Sequence, residues 1–563
     1  MKYGTILKSL FISYINMIYT MILFQSLWQM NCFQIRKFHL PAPKQILPQN
    51  ISLTISASEM GISDEEWESL QRALDWPGPD QQITPLDLST SPVHSTFSIV
   101  EPKKSYKVGD NISVIITARD HNKNLKRYGG DFFKANYPLP FFLKASVYGE
   151  VVDHRNGTYS AILLLPWEGQ AQVFVRLEHS SEVVQILKKY RESSFPRSHY
   201  KGYFEGAGPN KARISEVVEC NIKWGEGSWS KSNCCCEYKD IKTGTVWQCE
   251  RPKKLACDKL VYHSKGENLS LSLSLSLSLS LHRTLTNVRI TGDTQIINIL
   301  PNTAGNVLSD ECFFALGTTE RCRSGLKTPV PAGFYLKDVW KSFVCNTQQF
   351  DSAQMLKCLQ NKIVYMIGDS TTRQWFEFFE RKVPGLKRMN LHTPRAAGPL
   401  MAVEMKNNVI IHWRPHGVPL RFTVMPMTNL HYISNYIDNI AGGPHVVVVF
   451  TLFAHLVFHP ITFYVHEVAK IRQSVVALLS RAPQTTIVIK SGNTAGIKNI
   501  FQSDWYALQE NIVMKEMFRD IDGVIYFDIW QMTSCHYLTE NVHPGPVIIA
   551  NAISVFLSYV CPV

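Results

Sequence analysis

The chain is 563 residues long, too long for one ordinary hydrophobic core, so two or more domains are expected. Its 45% hydrophobic and 18% charged residues exclude a disordered chain, which cannot bury enough apolar surface to fold. The net charge of +12 comes from scattered lysines and arginines, with only short pairs such as Lys103-Lys104 and Lys253-Lys254; with no basic stripe interleaved with aromatics, nucleic acid is not expected as a partner.

In chain order, Lys2 and Lys8 precede a mostly apolar stretch from Leu10 to Leu27, and Arg36 and Lys37 follow it. The stretch is long for a signal-peptide core and just long enough to span a bilayer. Residues 1–33 are therefore read as a signal-anchor or a signal peptide, giving a Golgi-lumenal or a secreted body that meets a membrane only through this segment. Residues 34–94 are rich in Pro and Ser and read as a stem, interrupted by one short helical pattern from Asp64 to Leu74.

From residue 95 to 200, short alternating apolar runs are separated by turn signals. Ile112 to Ile116, Phe142 to Val147, Thr158 to Leu164 and Ala171 to Leu177 read as strands, and Arg155-Asn156-Gly157 as a turn. This spacing predicts an immunoglobulin-like β-sandwich. Residues 201–345 read as a loop-rich, Cys-rich connector. Of the 13 cysteines in the chain, all but Cys32 lie beyond residue 200; that even remainder reads as disulfides of an oxidising compartment, with connectivity not deducible. Each of the adjacent Cys234, Cys235 and Cys236 is expected to bridge elsewhere. No paired C-x-x-C knuckles occur, so no metal is expected. The Leu-Ser repeat from Asn268 to Leu281 reads as an insertion in a surface loop and is assigned no function. Asn50, Asn111, Asn156 and Asn268 open glycosylation sequons.

From residue 346 to 563 strand and helix signals alternate. Ile363–Ile367, His445–Phe450, Thr486–Lys490 and Val524–Phe527 read as strands, and the run to Phe450 is apolar throughout, as in a strand buried on both faces. Helical patterns lie between them. Such alternation predicts an α/β three-layer domain with a mostly parallel sheet. In such sheets function gathers at the carboxyl ends of strands.

Ser370 stands at one such end, in Gly368-Asp369-Ser370-Thr371-Thr372-Arg373-Gln374-Trp375, where an apolar strand turns into a helix. A helix N-terminus there can stabilise an oxyanion. Serine needs a base, and His543, in Glu540-Asn541-Val542-His543-Pro544, is the only histidine in the loop before the last helix. Glu540, three residues earlier, or Asp528, at the end of the fourth strand, would orient it. Gly368 and Asn493 are candidate oxyanion donors, and Arg373 is a candidate for binding an anionic substrate. His412, His416, His455 and His459 fit no zinc spacing and are expected in loop or packing roles.

The Gly-Asp-Ser opening and the late histidine resemble the SGNH/GDSL hydrolase superfamily. Together with Asn541-Val542-His543-Pro544 and the upstream β-rich segment, they more closely resemble the NXPE family, which pairs a neurexophilin-like sandwich with a PC-esterase domain. The resemblance covers roughly residues 95–563. It implies an SGNH-like fold with Ser370 as nucleophile and His543 as base. It further implies O-acetyl transfer to, or removal from, glycan hydroxyls, with sialic acid of mucin-type glycoproteins a candidate acceptor. No bound cofactor is expected; acetyl-CoA is a candidate donor. The chain departs from the superfamily at two places: Thr451-Leu452-Phe453-Ala454-His455 lacks the usual glycine, and Glu540 stands where aspartate is usual. The alternative is a catalytically decayed, secreted glycoprotein that binds a neurexin-like receptor.

Overall fold

The computed structural model describes residues 55–79, 85–136, 144–193, 197–208, 212–225, 234–268, 288–293, 296–301, 320–421, 423–496 and 502–562. The predicted N-terminal apolar segment, Asn50 and the Leu-Ser repeat beyond Asn268 lie outside these residues. Two short helices, Ala57–Met60 and Asp64–Ala73, open the described chain. Each starts at a serine whose side chain and a glutamate three residues on satisfy each other's backbone N–H groups. Met60, Leu70 and Leu74 are buried in the core of the body, so this part of the predicted stem packs onto the protein.

Period-two alternation builds the N-terminal half. In Asn111–Thr117, Ile112, Val114 and Ile116 point inward while Asn111 and Ser113 face solvent. Ten strands join into one sheet around Val114, Ile116, Tyr159, Leu163 and Leu177. Two of them matter for the site: β1 (Phe132–Asn136) and β2 (Phe174–His179), paired antiparallel.

In the C-terminal half, β3 (Ile363–Gly368) is the hub of a seven-stranded sheet. It is followed by β4 (Leu400–Glu404), β5 (Val409–Pro415), β6 (Val446–Phe450), β7 (Thr486–Lys490) and β8 (Val524–Phe527). β3 pairs parallel with β5 and β6, and β6, β7 and β8 continue in parallel. β4 and the two-residue strand Lys387–Arg388 are antiparallel. Every residue of β6 is buried. Val446, Val448 and Phe450 pack toward α2 (Ile461–Arg481) and α3 (Asp504–Phe518). Val447 and Val449 pack toward α1 (Ser370–Lys382) and α4 (Pro546–Val560). Each such aliphatic side chain, fully buried, contributes about 1.5–3 kcal/mol.

The fold class expected from sequence, a three-layer α/β domain with a mostly parallel sheet behind an immunoglobulin-like sandwich and a loop-rich connector, is corrected. Among the described residues the chain taken whole is β-rich, with 27% helix and a nearly closed, barrel-like sheet. Ten strands of the N-terminal half join into one sheet because β1 pairs with Ser146–Asp153 on one side and with β2 on the other, and a separate three-stranded sheet of Tyr106–Lys107, Gly169–Ala171 and Ile297–Leu300 adds Tyr106, Ala171, Ile297 and Ile299 to the same core. The connector is not loop-rich: its strands Ser198–Ala207, Arg213–Lys223, Cys234–Lys239, Val246–Glu250 and Leu260–Asn268 form an antiparallel sheet. Cys220–Cys249 and Cys236–Cys257 staple that sheet, so Cys236 bridges away from its neighbours as expected. Cys322–Cys345 and Cys358–Cys561 complete the described disulfides; Cys535 is free and buried.

Candidate active site

The turn from β3 into α1 is built by three residues in sequence. Gly368 has φ +150°, and a Cβ there would lie 2.7 Å from both Cγ2 and the carbonyl oxygen of Thr451, so only glycine fits. Asp369 caps the helix: its Oδ1 accepts from the Thr371 N–H at 2.8 Å and from the Thr371 hydroxyl at 2.7 Å. Ser370 is then the first helical residue, with its hydroxyl at the carboxyl edge of the sheet.

His543 arrives from the loop before α4, and its Nε2 lies 2.7 Å from Ser370 Oγ. Three neighbours hold that loop. Gln374, one turn along α1, donates to the Pro544 carbonyl at 3.1 Å. Asn541 Oδ1 accepts from the His543 N–H at 2.9 Å. Asn493 Nδ2 donates to the carbonyls of Thr494, Val542 and Asn541, at 3.0, 3.2 and 3.4 Å.

Burial pushes the His543 imidazole below the ordinary histidine range; Asp369 and Glu377 oppose this, and Arg373 reinforces it. The ring is therefore neutral near pH 7, the state a base requires. Burial would raise the Asp369 carboxyl, but His455, Lys490 and the bonds from Thr371 outweigh it and hold the group below the carboxylate range. Burial also pushes the Lys490 ammonium down to about 8, against the pull of Asp369. Lys490 Nζ donates to Thr371 Oγ1 at 3.0 Å. His416 Nε2 and His455 Nδ1 are 2.6 Å apart, and burial pushes the two rings down to about 4 and about 3.

The structure thus brings Ser370 and His543 together, with Asn493 beside them. It does not bring Glu540 or Asp528 to the imidazole. Both Glu540 oxygens are engaged by Lys134 and Arg176. Asp528 accepts from the Trp530 N–H and from Gln531 Nε2, and burial raises its carboxyl. Asn493 gives its amide hydrogens to carbonyls of the histidine loop, a different use from the expected oxyanion role. The Gly368 carbonyl accepts from the His416 N–H at 3.2 Å. Arg373 Nη1 donates to the Ala396 carbonyl at 2.7 Å, its Nε lies 3.4 Å from Glu377, and it stands three residues after Ser370.

Sequence reasoning misses Lys490 and Gln374, and it gives His416 and His455 only loop or packing roles. One signal for Lys490 is legible: a lone cation closes the apolar strand Thr-Ile-Val-Ile-Lys. Among the sequons, Asn111 and Asn156 are exposed, and the Thr158 hydroxyl donates to Asn156 Oδ1 at 2.7 Å.

Residues 340–561 match the family described as NXPE family member 4-like, C-terminal domain, and residues 75–274 match Neurexophilin. Among solved structures, the chain is similar to FdeC, an Escherichia coli adhesin, at 11% identity over 38% of this chain and 65% of that one, TM-score 0.14. It is similar to invasin, a bacterial integrin-binding protein, at 12% identity over 58% and 60%, TM-score 0.13. It is also similar to the Yersinia pseudotuberculosis adhesin InvE, at 10% over 58% and 95%, TM-score 0.14. Likenesses at TM-scores this low carry no argument about fold or function.

Proposed function

For this chain, which belongs to the NXPE family, we propose serine-dependent O-acyl transfer on glycan hydroxyls within the secretory pathway. The observation that carries the proposal is the 2.7 Å contact between Ser370 Oγ and His543 Nε2 at the start of a helix and the end of the hub strand. With its proton on Nδ1, the neutral imidazole accepts the serine proton as Oγ attacks the carbonyl carbon of an acetyl donor. The tetrahedral oxyanion forms beside the N–H groups of the first helical turn. Collapse expels the donor's leaving group, which takes the proton back from His543 and leaves acetyl-Ser370. A glycan hydroxyl, giving its proton to the same nitrogen, accepts the acetyl group, and that proton passes to Oγ as the serine leaves; with an O-acetylated glycan as donor and water as acceptor, the same steps make an esterase. Acetyl-CoA is a candidate donor, and sialic acid on mucin-type glycoproteins a candidate acceptor.

His543 lacks the expected Glu540 or Asp528 partner, and Asp369 supplies the largest charge effect opposing the downward shift of the ring. Its geometry is held by Asn493, Asn541 and Gln374 instead. The disulfides favour an oxidising lumen or secretion. Among the described residues no helix is long and apolar enough to cross a membrane. Expression of the full chain in cells lacking other such enzymes tests the reading: glycan O-acetylation should appear with wild type and vanish with Ser370→Ala. Equal O-acetylation with both would remove Ser370 from the reaction.

The match of residues 75–274 to Neurexophilin favours a second reading, a secreted glycoprotein that binds a neurexin-type receptor. Receptor capture by the full-length Ser370→Ala variant, with no acylation of Ser370 in wild type, is the outcome that reading requires.

A further inference from the structure

Lys134 and Glu540 are 406 residues apart in sequence and share a buried ion network. Lys134 Nζ, on β1, lies 2.9 Å from Asp504 Oδ2, 3.2 Å from Glu540 Oε1 and 3.6 Å from Glu178 Oε1. Arg176, on β2, pairs with Glu178 and reaches Glu540 Oε2 at 2.9 Å. None of these side chains except Arg176 is more than 6% exposed. Three clustered carboxylates suit a cation in principle, but the Lys134 ammonium already stands within reach of all three, so the cluster is an ion network and not a metal site. Buried charges of this kind hold only as a set, since removing one partner strands the others away from water.

The network continues into the candidate active site. Asp504 Oδ1 accepts from the Ala495 N–H at 2.7 Å. Gly496 packs so closely on Glu540 that a Cβ would lie 2.9 Å from the glutamate's own. Asn493, at the start of the same loop, holds the carbonyls of Asn541 and Val542. Both supports of His543, the 493–496 loop and the 540–542 segment, therefore end on carboxylates gripped by the N-terminal sheet.

We propose that Lys134 is a positioning residue for the Ser370 reaction: from β1 it grips Asp504 and Glu540 and so sets His543 against Ser370, leaving the active site incomplete without the N-terminal sheet. This rests on the serine chemistry proposed above. The full chain with Lys134→Met is compared with wild type and with Lys126→Met, which breaks the other buried lysine pair of the N-terminal half, Lys126–Glu182, away from the histidine loop. Two quantities are read across pH 5–9: the rate at which a fluorophosphonate labels Ser370, and the titration of the His543 ring by NMR. The charged groups acting on that ring are Asp369, Glu377 and Arg373, and it in turn acts on His455. Lys134→Met should label at least about tenfold more slowly, with the His543 midpoint moved up toward the ordinary histidine value as the ring leaves its seat against Ser370. Lys126→Met should melt lower but keep the wild-type rate and midpoint.

If Lys134→Met does not fold, Arg176→Met, at the half-exposed edge of the network, should shift both quantities in the same direction by less. A wild-type rate and midpoint in the lysine or arginine variant, or an equal loss in Lys126→Met, overturns the proposal. Absence of labelling in wild type counts against the serine chemistry alone; the NMR midpoints then still decide whether Lys134 positions His543.

Discussion

Replacing Asn493 by alanine separates two roles for this amide. Its two Nδ2 hydrogens serve three carbonyls at 3.0 to 3.4 Å, two of them in the histidine loop. A buried hydrogen bond contributes about 0.5–1.5 kcal/mol net, so losing two costs about 1–3 kcal/mol, before any penalty for carbonyls left unpaired. The loss falls on the residues next to His543, so the imidazole should drift from Ser370, and a displacement of about 1 Å can cost about a hundredfold in rate. The assay is fluorophosphonate labelling of Ser370 as a function of pH, alongside urea unfolding. The account expects slower labelling, an upward shift of the pH midpoint and a lower unfolding midpoint, all together. A lost oxyanion donor would also slow the reaction by about 100- to 1,000-fold, but it would leave the midpoint of His543 unchanged. Slow labelling with unaltered pH dependence and stability would therefore refute the loop-holding role.

Gly368→Ala should cost about 1–3 kcal/mol for a backbone conformation restricted to glycine and about as much again for the clash with Thr451; an unfolding midpoint equal to wild type would contradict it. Glu467 is buried, accepts the Thr245 hydroxyl at 2.8 Å, and is pushed by burial up to about 8 from an ordinary 4.5. A raised folded-state value means stability is full below pH 4.5 and declines as pH rises to about 8, by at most about 1.4 kcal/mol per pH unit. Glu467→Gln should flatten that decline in urea unfolding at pH 5, 6.5 and 8, and a slope unchanged by the substitution would exclude Glu467 as its source.

Several features lie open in the sequence because local chemistry dictates them. β6 reads as a doubly buried strand because each of its five residues meets a packed face. The Gly-Asp-Ser turn is legible because glycine, a capping aspartate and an apolar strand meet at one point. Other features depend on partners far away in the chain. β1, Phe-Phe-Lys-Ala-Asn, is buried on both faces and shows no alternation, and its lysine is buried only because Asp504, Glu540 and Glu178 surround it. No local pattern signals that joining, so a sandwich of facing sheets is expected where ten strands form one sheet beside a small three-stranded one. Arg213–Lys223 is largely exposed or half-exposed until its last residues, which mutes the period-two signal and makes a sheet resemble a connector. Glu540 stands at a spacing from which a carboxylate can reach His543, but Lys134 and Arg176 draw it the other way.

The central claim is that Ser370 is a nucleophile activated by His543. Purified full-length protein treated with a fluorophosphonate at pH 7.5 and mapped by mass spectrometry tests it directly, because the probe bonds to Oγ and loses fluoride only where a base removes the serine proton. The account predicts one adduct, on Ser370, absent from Ser370→Ala and strongly slowed in His543→Ala. A folded wild-type protein that carries no adduct on Ser370, or one whose labelling is indifferent to His543, would contradict it.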